Sequence, residues 1–471
     1  MAHAFHTIWL GGCPPLRALE NLIHLLLLFE RELPQWHQQP SEQQAPVPLL
    51  WLDQSAWDLL IEQAPLDVHP CSSHTIPERW QHCITALLGE SMVVCRWLQF
   101  EHTRGPLHLP VLVVEQMLTA LSEPWASIQP ALKLLKQQRL PSLSDPAAAS
   151  LLNGPALLAY LRSLIAHAQQ HWARHGLLCL ASDLLRLLAL SWRPGVYGDL
   201  GDVTGRLQRL PSVADAGSAG FCAHHTVAVE NDLIITTNAN IVQAITLATA
   251  LWSWGTVRGI AQRLVLDHPT PSSDPNELLQ AVLPQLDQRL PSPPSLTELL
   301  QAPWTQLADF INLAYGATPV FHPATHLNRY SAGRRGKELL INDVGGFSGY
   351  QHAAHRLVPT NAEAWLGCAD RYGLSDYAPQ LGWKTYGYGA IDRLIDLGQR
   401  LNSTPKRAES ARADLALIAR SLSISAKQLE PVASLSAQLH TLLSNAHHQP
   451  QQRSHWLGQV ELLCKAFAAT G

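Results

Sequence analysis

Short apolar runs alternate with helical patterns at the start of the chain. Residues 4–10 (AFHTIWL) form a β-rich apolar run that ends at two glycines. Residues 16–33 then place leucine and isoleucine at helical spacing until a proline stops the helix. Residues 47–52 form a second apolar run, which ends in an aspartate. A strand, a helix and a strand in this order predict the opening of a parallel α/β sheet.

The residues at the ends of the two predicted strands are the first candidates for a binding site. They are Trp9, Leu10, Gly11, Gly12 and Asp53. Ligands of open parallel sheets bind in a crevice at the carboxyl ends of the strands, and these two strands end on the same side of the sheet. We therefore expect these residues to lie around one crevice.

The rest of the chain mixes helical and extended patterns. From about residue 75 to residue 175 the pattern is mostly helical with many prolines, which predicts a helical insertion; within it, residues 111–114 fit a strand or a helix equally well. The other expected elements are strands at 221–229, 232–236 and 339–341, and helices at 238–252, 276–289 and 298–315, with Pro/Ser-rich segments within 267–295. We expect one α/β domain of Rossmann type with a mixed sheet over residues 1–400, and a helical cap over residues 401–471.

The central stretch, residues 180–203, begins as an apolar helix that carries two opposite charges. Asp183 and Arg186 lie one turn apart on the same face of this helix. Apolar neighbours predict that the helix is buried on most sides, and buried charges need partners. Two interpretations stay open. The residues form a simple ion pair, or they face a ligand, with Asp183 accepting hydrogen bonds from sugar hydroxyls and Arg186 facing a diphosphate.

The same stretch ends in two carboxylates set among glycines. The chain becomes extended at Val196 and Tyr197 and then reaches Asp199 and Asp202. Carboxylates at a strand end can hold Mn²⁺ or Mg²⁺ against two phosphate oxygens. Residues three apart on a straight strand point in opposite directions, so both reach one metal only through a turn or bulge at the glycines. The alternative is a pair of acidic residues in a surface turn.

Composition argues against several other functions. Of the 471 residues, 46% are hydrophobic and 15% are charged, which favours an ordered globular chain. The net charge of -4 and the absence of a basic stripe argue against a nucleic-acid partner. The eight cysteines form no C-x-x-C pair, which disfavours a zinc ribbon or a disulfide framework.

Three motifs resemble one known family when they are taken in order. They are FHTIWLGG at 5–12, LLWLDQSAWDLLI at 49–61, and ASDLLR followed by GVYGD within 181–199. The set resembles the glucosyltransferase domain of the clostridial glucosylating toxins and the related bacterial toxin and effector glycosyltransferases, which have a GT-A fold and a DXD-type motif. The resemblance covers residues 5–62 and 180–203 and does not extend beyond about residue 240.

The resemblance implies a donor site for a UDP-sugar. Trp9 resembles the base-stacking residue, and Asp183 with Arg186 the pair that contacts sugar and phosphate. Tyr197 and Asp199 resemble the start of the metal motif. The implied reaction moves a hexose or N-acetylhexosamine, with retention, to a host protein such as a small GTPase.

Some positions depart from the family pattern or match it weakly. The second aspartate of the family motif falls on Gly201, and Asp202 comes one place later; we assign Asp202 to the metal together with Asp199. Asn231 resembles an asparagine near the donor sugar or the acceptor. The family's late tryptophan, which reaches the leaving diphosphate, would be Trp383 or Trp365.

Two alternative functions remain open for this chain. The shifted aspartate motivates a degenerate GT-A domain that binds a partner protein without transfer. A glycosyltransferase that acts on a polysaccharide or a lipid would have the same donor site.

The sequence shows no classical signal peptide and no transmembrane segment, so we expect a soluble protein made in the bacterial cytoplasm and secreted or delivered into a host cell by another route.

Overall fold

The structure is a computed structural model of the chain. It describes residues 4–11, 16–33, 47–53, 74–75, 108–109, 111–114, 118–119, 121–138, 146–172, 177–201, 203–212, 221–225, 228–264, 274–289, 296–315, 319–320, 330–331, 340–358, 370–374, 390–421 and 425–468. Of the residues singled out above, Gly12, Asp202, Trp365 and Trp383 lie outside this set.

A mixed β-sheet lies at the centre of the fold. The strands of the described residues are β1 (Ala4–Trp9), β2 (Val47–Leu52), β3 (His74–Thr75), β4 (His108–Leu109), β5 (Val111–Val113), β6 (Gly195–Gly198), β7 (Phe221–His225), β8 (Ala228–Thr236), β9 (Pro319–Val320) and β10 (Tyr330–Ser331). The central sheet has the order β5–β2–β1–β6–β8–β7. Its first four strands are parallel, and β8 is antiparallel to both neighbours. The expected α/β class with a mixed sheet is confirmed, and residues 111–113 are a strand.

Helices account for most of the remaining described residues. They are α1 (Leu16–Glu32), α2 (Gln129–Gln137), α3 (Gly154–His167), α4 (Leu178–Trp192), α5 (Ala239–Leu264), α6 (Pro275–Arg289), α7 (Leu296–Gln301), α8 (Trp304–Tyr315), α9 (Phe347–Leu357), α10 (Ala390–Leu401), α11 (Pro405–Ser421), α12 (Ala426–His448) and α13 (Arg453–Ala468). The single helix predicted at 298–315 is two helices, since Pro303 precedes α8 and proline has no N–H to continue α7. Within the described residues, no helix combines the length and the apolar character needed to cross a bilayer.

The strand predicted at 339–341 is wrong. Residues Leu340–Val344 form a turn of π-helix, in which the N–H of Gly345 donates to the carbonyl oxygen of Leu340 at 2.6 Å. Gly346 follows with a φ of 78° and leads into α9. A β-carbon at Gly346 would lie 2.3 Å from the carbonyl oxygen of Thr249, so this close turn against α5 requires glycine. Leucine and isoleucine are buried here in a helical turn rather than in a strand.

Both faces of the sheet are covered by helices around β1. On one face, Phe5 packs edge-on against Phe29 of α1, with ring centroids 5.9 Å apart. On the other face, Ala4 and Ile8 belong to a large apolar core that includes much of α4 and α5. The alternation follows from the two-residue period of a strand, which sends successive side chains to opposite faces. Helix α4 is therefore held firmly beside β1.

A second apolar core is built from helices alone. It takes buried side chains from α7, α8 and α10 to α13. Its members therefore come from both sides of residue 400. The domain boundary predicted between residues 400 and 401 stays a prediction.

His6 is fully buried in β1, and its two ring nitrogens have different partners. Its Nε2–H donates to the carbonyl oxygen of Arg193 at 2.8 Å, and Nδ1 accepts a hydrogen bond from Nε1–H of Trp51 at 3.0 Å. Burial lowers the pKa of His6 to about 4, although the bond to the Arg193 carbonyl acts in the opposite direction. The neutral ring thus links β1 to β2 and to the end of α4.

We expect His6 to make the fold acid-sensitive. In the unfolded chain this side chain binds a proton below its ordinary pKa of 6.5, whereas the folded chain keeps it neutral down to about pH 4. Stability that is fully present above pH 6.5 is therefore lost as the pH falls towards 4, by about 3 kcal/mol. Urea unfolding at a series of pH values gives the free energy of unfolding of the wild type and of His6→Gln. Between pH 6.5 and pH 4, this free energy should fall more steeply with falling pH in the wild type than in the variant. An equal pH dependence in the two proteins would contradict the expectation.

Candidate functional site

The order of the central strands defines one crevice. From β1 the chain continues to β2 and β5 on one side, whereas β6, β8 and β7 lie on the other side. The parallel neighbours β1 and β6 therefore flank the point at which the strand order reverses. In open α/β sheets, ligands bind outside the carboxyl ends of the strands at such a point. Here those ends lead into Leu10 and Asp199.

The end of β1 is fixed by the predicted aspartate after β2. The backbone N–H of Gly11 donates to Asp53 Oδ2 at 2.8 Å, and Asp53 is buried. Gly11 has a φ of 87°, and a β-carbon there would lie 2.2 Å from Cδ1 of Leu178. Leu10 is buried and Trp9 is partly exposed. The residues predicted at these two strand ends are therefore brought together, apart from Gly12, which lies outside the described residues.

Arg186 lies on α4, and most of its donors are already engaged. Its Nε–H donates to the carbonyl oxygen of Ser182 at 3.3 Å, and Nη2 donates to Ser182 Oγ at 3.1 Å. Its Nη1 donates to both the backbone oxygen and the Oδ1 of Asn231, each at 2.8 Å. The guanidinium has five N–H donors, so only one, on Nη2, remains. That nitrogen lies 3.1 Å from Asp183 Oδ1 and 3.6 Å from Asp199 Oδ2.

Three carboxylates surround this single guanidinium. Besides Asp183 and Asp199, Asp232 Oδ1 lies 3.9 Å from Arg186 Nη1. The guanidinium also lies over the ring of Tyr197, 4.6 Å from its centroid. When all four charged groups are ionised, one positive and three negative charges leave an excess of two negative charges. An excess of this kind favours a cation at the carboxyl end of β6.

Burial and charge shift the pKa values of this cluster in a consistent direction. Burial raises the pKa of Asp183, with Arg186 and the bond from Asn231 acting against it and the charge of Asp199 acting with it. Burial lowers the pKa of Arg186, but Tyr197 and the three carboxylates outweigh it and raise that pKa above its ordinary value. Arg186 is thus charged at any physiological pH, and it is 3% exposed.

The two carboxylate oxygens of Asp183 differ in their contacts with the described residues. Its Oδ1 accepts a hydrogen bond from Nδ2–H of Asn231 at 2.9 Å and lies 3.1 Å from Arg186. Its Oδ2 has no hydrogen-bond partner among the residues that the structure describes, and 18% of the side chain is exposed. A ligand hydroxyl in the crevice can therefore donate to Oδ2.

Asp199 begins the turn that follows β6. Its Oδ1 accepts a hydrogen bond from the N–H of Gly201 at 2.7 Å, and its backbone N–H donates to the carbonyl oxygen of Asp232 at 2.8 Å. The side chain is 28% exposed. Because one oxygen closes the turn, the other is presented towards Arg186 and the crevice. The turn expected at the glycines is present, and Asp202 lies outside the described residues.

The structure brings most of the predicted central residues into one cluster. Asp183, Arg186, Tyr197, Asp199 and Asn231 are all part of it. Sequence reasoning missed Asp232, which lies directly after Asn231, and Ser182, whose carbonyl oxygen and Oγ accept hydrogen bonds from Arg186. The antiparallel register of β6 and β8, which pairs Gly198 with Leu233, brings Asp232 beside Asp199, and no local sequence pattern reveals that register.

The crevice also permits a test of the expected cation. In the described part of the chain, no three His, Cys, Asp or Glu side chains converge as metal ligands. Mg²⁺ and similar ions beside phosphates are bound by one or two carboxylates, with the phosphates and waters supplying the other oxygens. The partly exposed side chain of Asp199 and the excess negative charge fit such an ion.

Among solved structures, the chain is similar to the glycosyltransferase domain from the YGT toxin. The ligand-free domain is 10% identical, with a TM-score of 0.33, over 94% of this chain and 99% of that chain. The UDP-bound domain is 11% identical, with a TM-score of 0.31 and the same coverage. At such TM-scores the likeness carries no argument about the activity of this chain. No protein-family model and no curated protein sequence matches the chain.

Proposed function

We propose that the chain is a glycosyltransferase with a GT-A-like fold, which transfers a hexose or N-acetylhexosamine from a UDP-sugar. The observation that supports this most is the cluster of Asp183, Arg186 and Asp199 at the carboxyl end of β6. It lies where the strand order reverses, next to the end of β1 that carries Trp9. Nucleotides bind at that position in sheets of Rossmann type.

Each part of the donor has a group of suitable chemistry in this crevice. Trp9 offers an indole for stacking on the uracil, and Asp53 holds the adjacent backbone of Gly11. Asp183 Oδ2 would accept hydrogen bonds from hydroxyls of the sugar. Asp199, with Asp202, would hold Mn²⁺ or Mg²⁺, which would neutralise the departing diphosphate.

The acceptor is proposed from the resemblance alone. It is a protein side chain, with a small GTPase as the first candidate and retention at the anomeric carbon. The anomeric configuration of the glycosylated product, determined by NMR, tests retention.

Release of UDP from UDP-sugars tests the donor reaction directly. We expect the purified protein with Mn²⁺ to release UDP from UDP-glucose or UDP-N-acetylglucosamine, because the negative crevice needs a cation before it can accept a diphosphate. EDTA should stop the release, and excess Mn²⁺ should restore it. If UDP-sugars are neither bound nor cleaved with Mn²⁺ or Mg²⁺, the proposal fails. A partner-binding module would show no divalent-dependent binding of UDP.

A further inference from the structure

Asn231 connects the two charged residues of α4 from the neighbouring strand β8. Its Oδ1 and its backbone oxygen both accept hydrogen bonds from Arg186 Nη1, and its Nδ2–H donates to Asp183 Oδ1. The side chain is 5% exposed, so its amide is committed to these partners rather than to solvent. The amide accepts through its oxygen and donates through its nitrogen, so this one side chain bonds to the guanidinium and to the carboxylate at the same time.

The N–H donors of Arg186 are mostly occupied by protein groups, which leaves little of the guanidinium for direct contact with a ligand. Four of its five N–H donors are used by Ser182 and Asn231, and the nitrogen with the fifth faces Asp183 and Asp199. A diphosphate would have to displace one of these partners to receive a fork of two hydrogen bonds. The arrangement therefore orients carboxylates and does not present a free guanidinium.

We infer that Asn231 and Arg186 are positioning residues, which hold Asp183 so that its Oδ2 faces a hydroxyl of the donor sugar. We call Asn231, Arg186 and Asp183 the positioning cluster. This inference rests on the proposed function, because the ligand of Oδ2 is the sugar of the UDP-sugar. It assigns to Asn231 a contact with the protein, in place of the contact with donor or acceptor that the resemblance implies.

Two substitutions at Asn231 separate a positioning role from a purely structural one. Asn231→Ala removes the side-chain bonds to both charged residues. Asn231→Asp keeps an acceptor for Arg186 but loses the donor and sets a carboxylate against Asp183. If Asn231 only supports Arg186, Asn231→Asp stays close to the wild type. If it positions Asp183, both variants lose activity.

We expect both variants to lower kcat for UDP-sugar cleavage by about 10- to 100-fold, because small misplacements of a reacting group have effects of that order. The KM for the UDP-sugar should change by less than about 3-fold, since base and diphosphate contacts are retained. Thr236→Val is the matched control, because Thr236 is a buried residue of β8 whose hydroxyl bonds to the backbone of Asn238 instead of the cluster. It should retain the wild-type kcat.

Three results would overturn the inference. One is an Asn231→Asp variant with a kcat within about 3-fold of the wild type, and another is a Thr236→Val variant that loses as much as Asn231→Ala. A crystal structure of Asn231→Asp supplies a third measurement, which is independent of turnover. We expect the Asp183 carboxylate to move by about 1 Å or more from Arg186, and an unchanged contact would reject the positioning role. Failure of the wild type to cleave any UDP-sugar rejects the proposed function instead.

Discussion

Asp199→Asn is expected to lower divalent-dependent cleavage of UDP-sugars by roughly 10²- to 10³-fold, as is typical when a group that stabilises charge in a transition state is removed. Asparagine has the same shape, and its Oδ1 can still accept the hydrogen bond from Gly201 that closes the turn after β6. The substitution therefore removes the negative charge and leaves the local backbone in place. A neutral amide binds Mn²⁺ or Mg²⁺ far more weakly than a carboxylate.

Steady-state kinetics at several Mn²⁺ concentrations measure this effect. The variant should need more Mn²⁺ for half-maximal rate as well as turning over more slowly. Asp274→Asn is the matched control, because Asp274 Oδ1 likewise accepts backbone N–H bonds, from Asn276 and Glu277 at the start of α6. It should retain wild-type kinetics. Wild-type activity and Mn²⁺ dependence in Asp199→Asn would mean that the metal is not held at this turn.

Local patterns in the sequence were sufficient to predict the opening strands and helix α4. Residues 47–52 are a continuous apolar run and form β2 with those bounds, since a strand inside a parallel sheet is buried on both faces. The one-turn spacing of Asp183 and Arg186 likewise predicts their contact at 3.1 Å, because helix geometry is local.

The missing parts of the site depend on contacts between distant residues. Asp232 joins the cluster only because β8 runs antiparallel to β6 in one particular register. Asn231, 45 positions further along the chain, takes two of the five N–H donors of Arg186, and the sequence alone therefore left the arginine available for a phosphate. Arginine beside aspartate in a helix shows charge pairing, but it does not show which of the five N–H groups remain for a ligand.

The same cluster of charges lowers the stability of the fold, and the sequence pattern does not reveal this effect. Three carboxylates gathered around one buried guanidinium repel one another, and burial has already raised the pKa of Asp183. A fold selected for stability alone would have little reason to collect them. Concentrated like charge in a crevice is typical of functional sites, where a ligand completes the balance of charge.

Arg186→Met should therefore lower the free energy of unfolding by about 3–5 kcal/mol, the usual effect of removing one partner from a buried ionic group. Methionine fills a similar volume, but it leaves Asp183, Asp199 and Asp232 without their shared positive charge and leaves two oxygens of Asn231 without a donor. Urea unfolding at neutral pH measures the loss. Adding Asp199→Asn should restore about 1 kcal/mol or more, because it removes one of the repelling charges.

Arg400, a second arginine paired with carboxylates, serves as a comparison for Arg186. It separates a loss of stability from a loss of activity at the crevice. Arg400 in α10 lies 2.9 Å from Asp396 and donates to the buried carboxylate of Asp414 at 2.6 Å. Arg400→Met should also destabilise the chain, but it should leave UDP-sugar cleavage per folded molecule unchanged, because this pair belongs to the helical core. The double variant Arg186→Met/Asp199→Asn decides the electrostatic argument. If its two effects simply add, the carboxylates are not coupled through Arg186, and the destabilisation of Arg186→Met comes from its lost hydrogen bonds and packing.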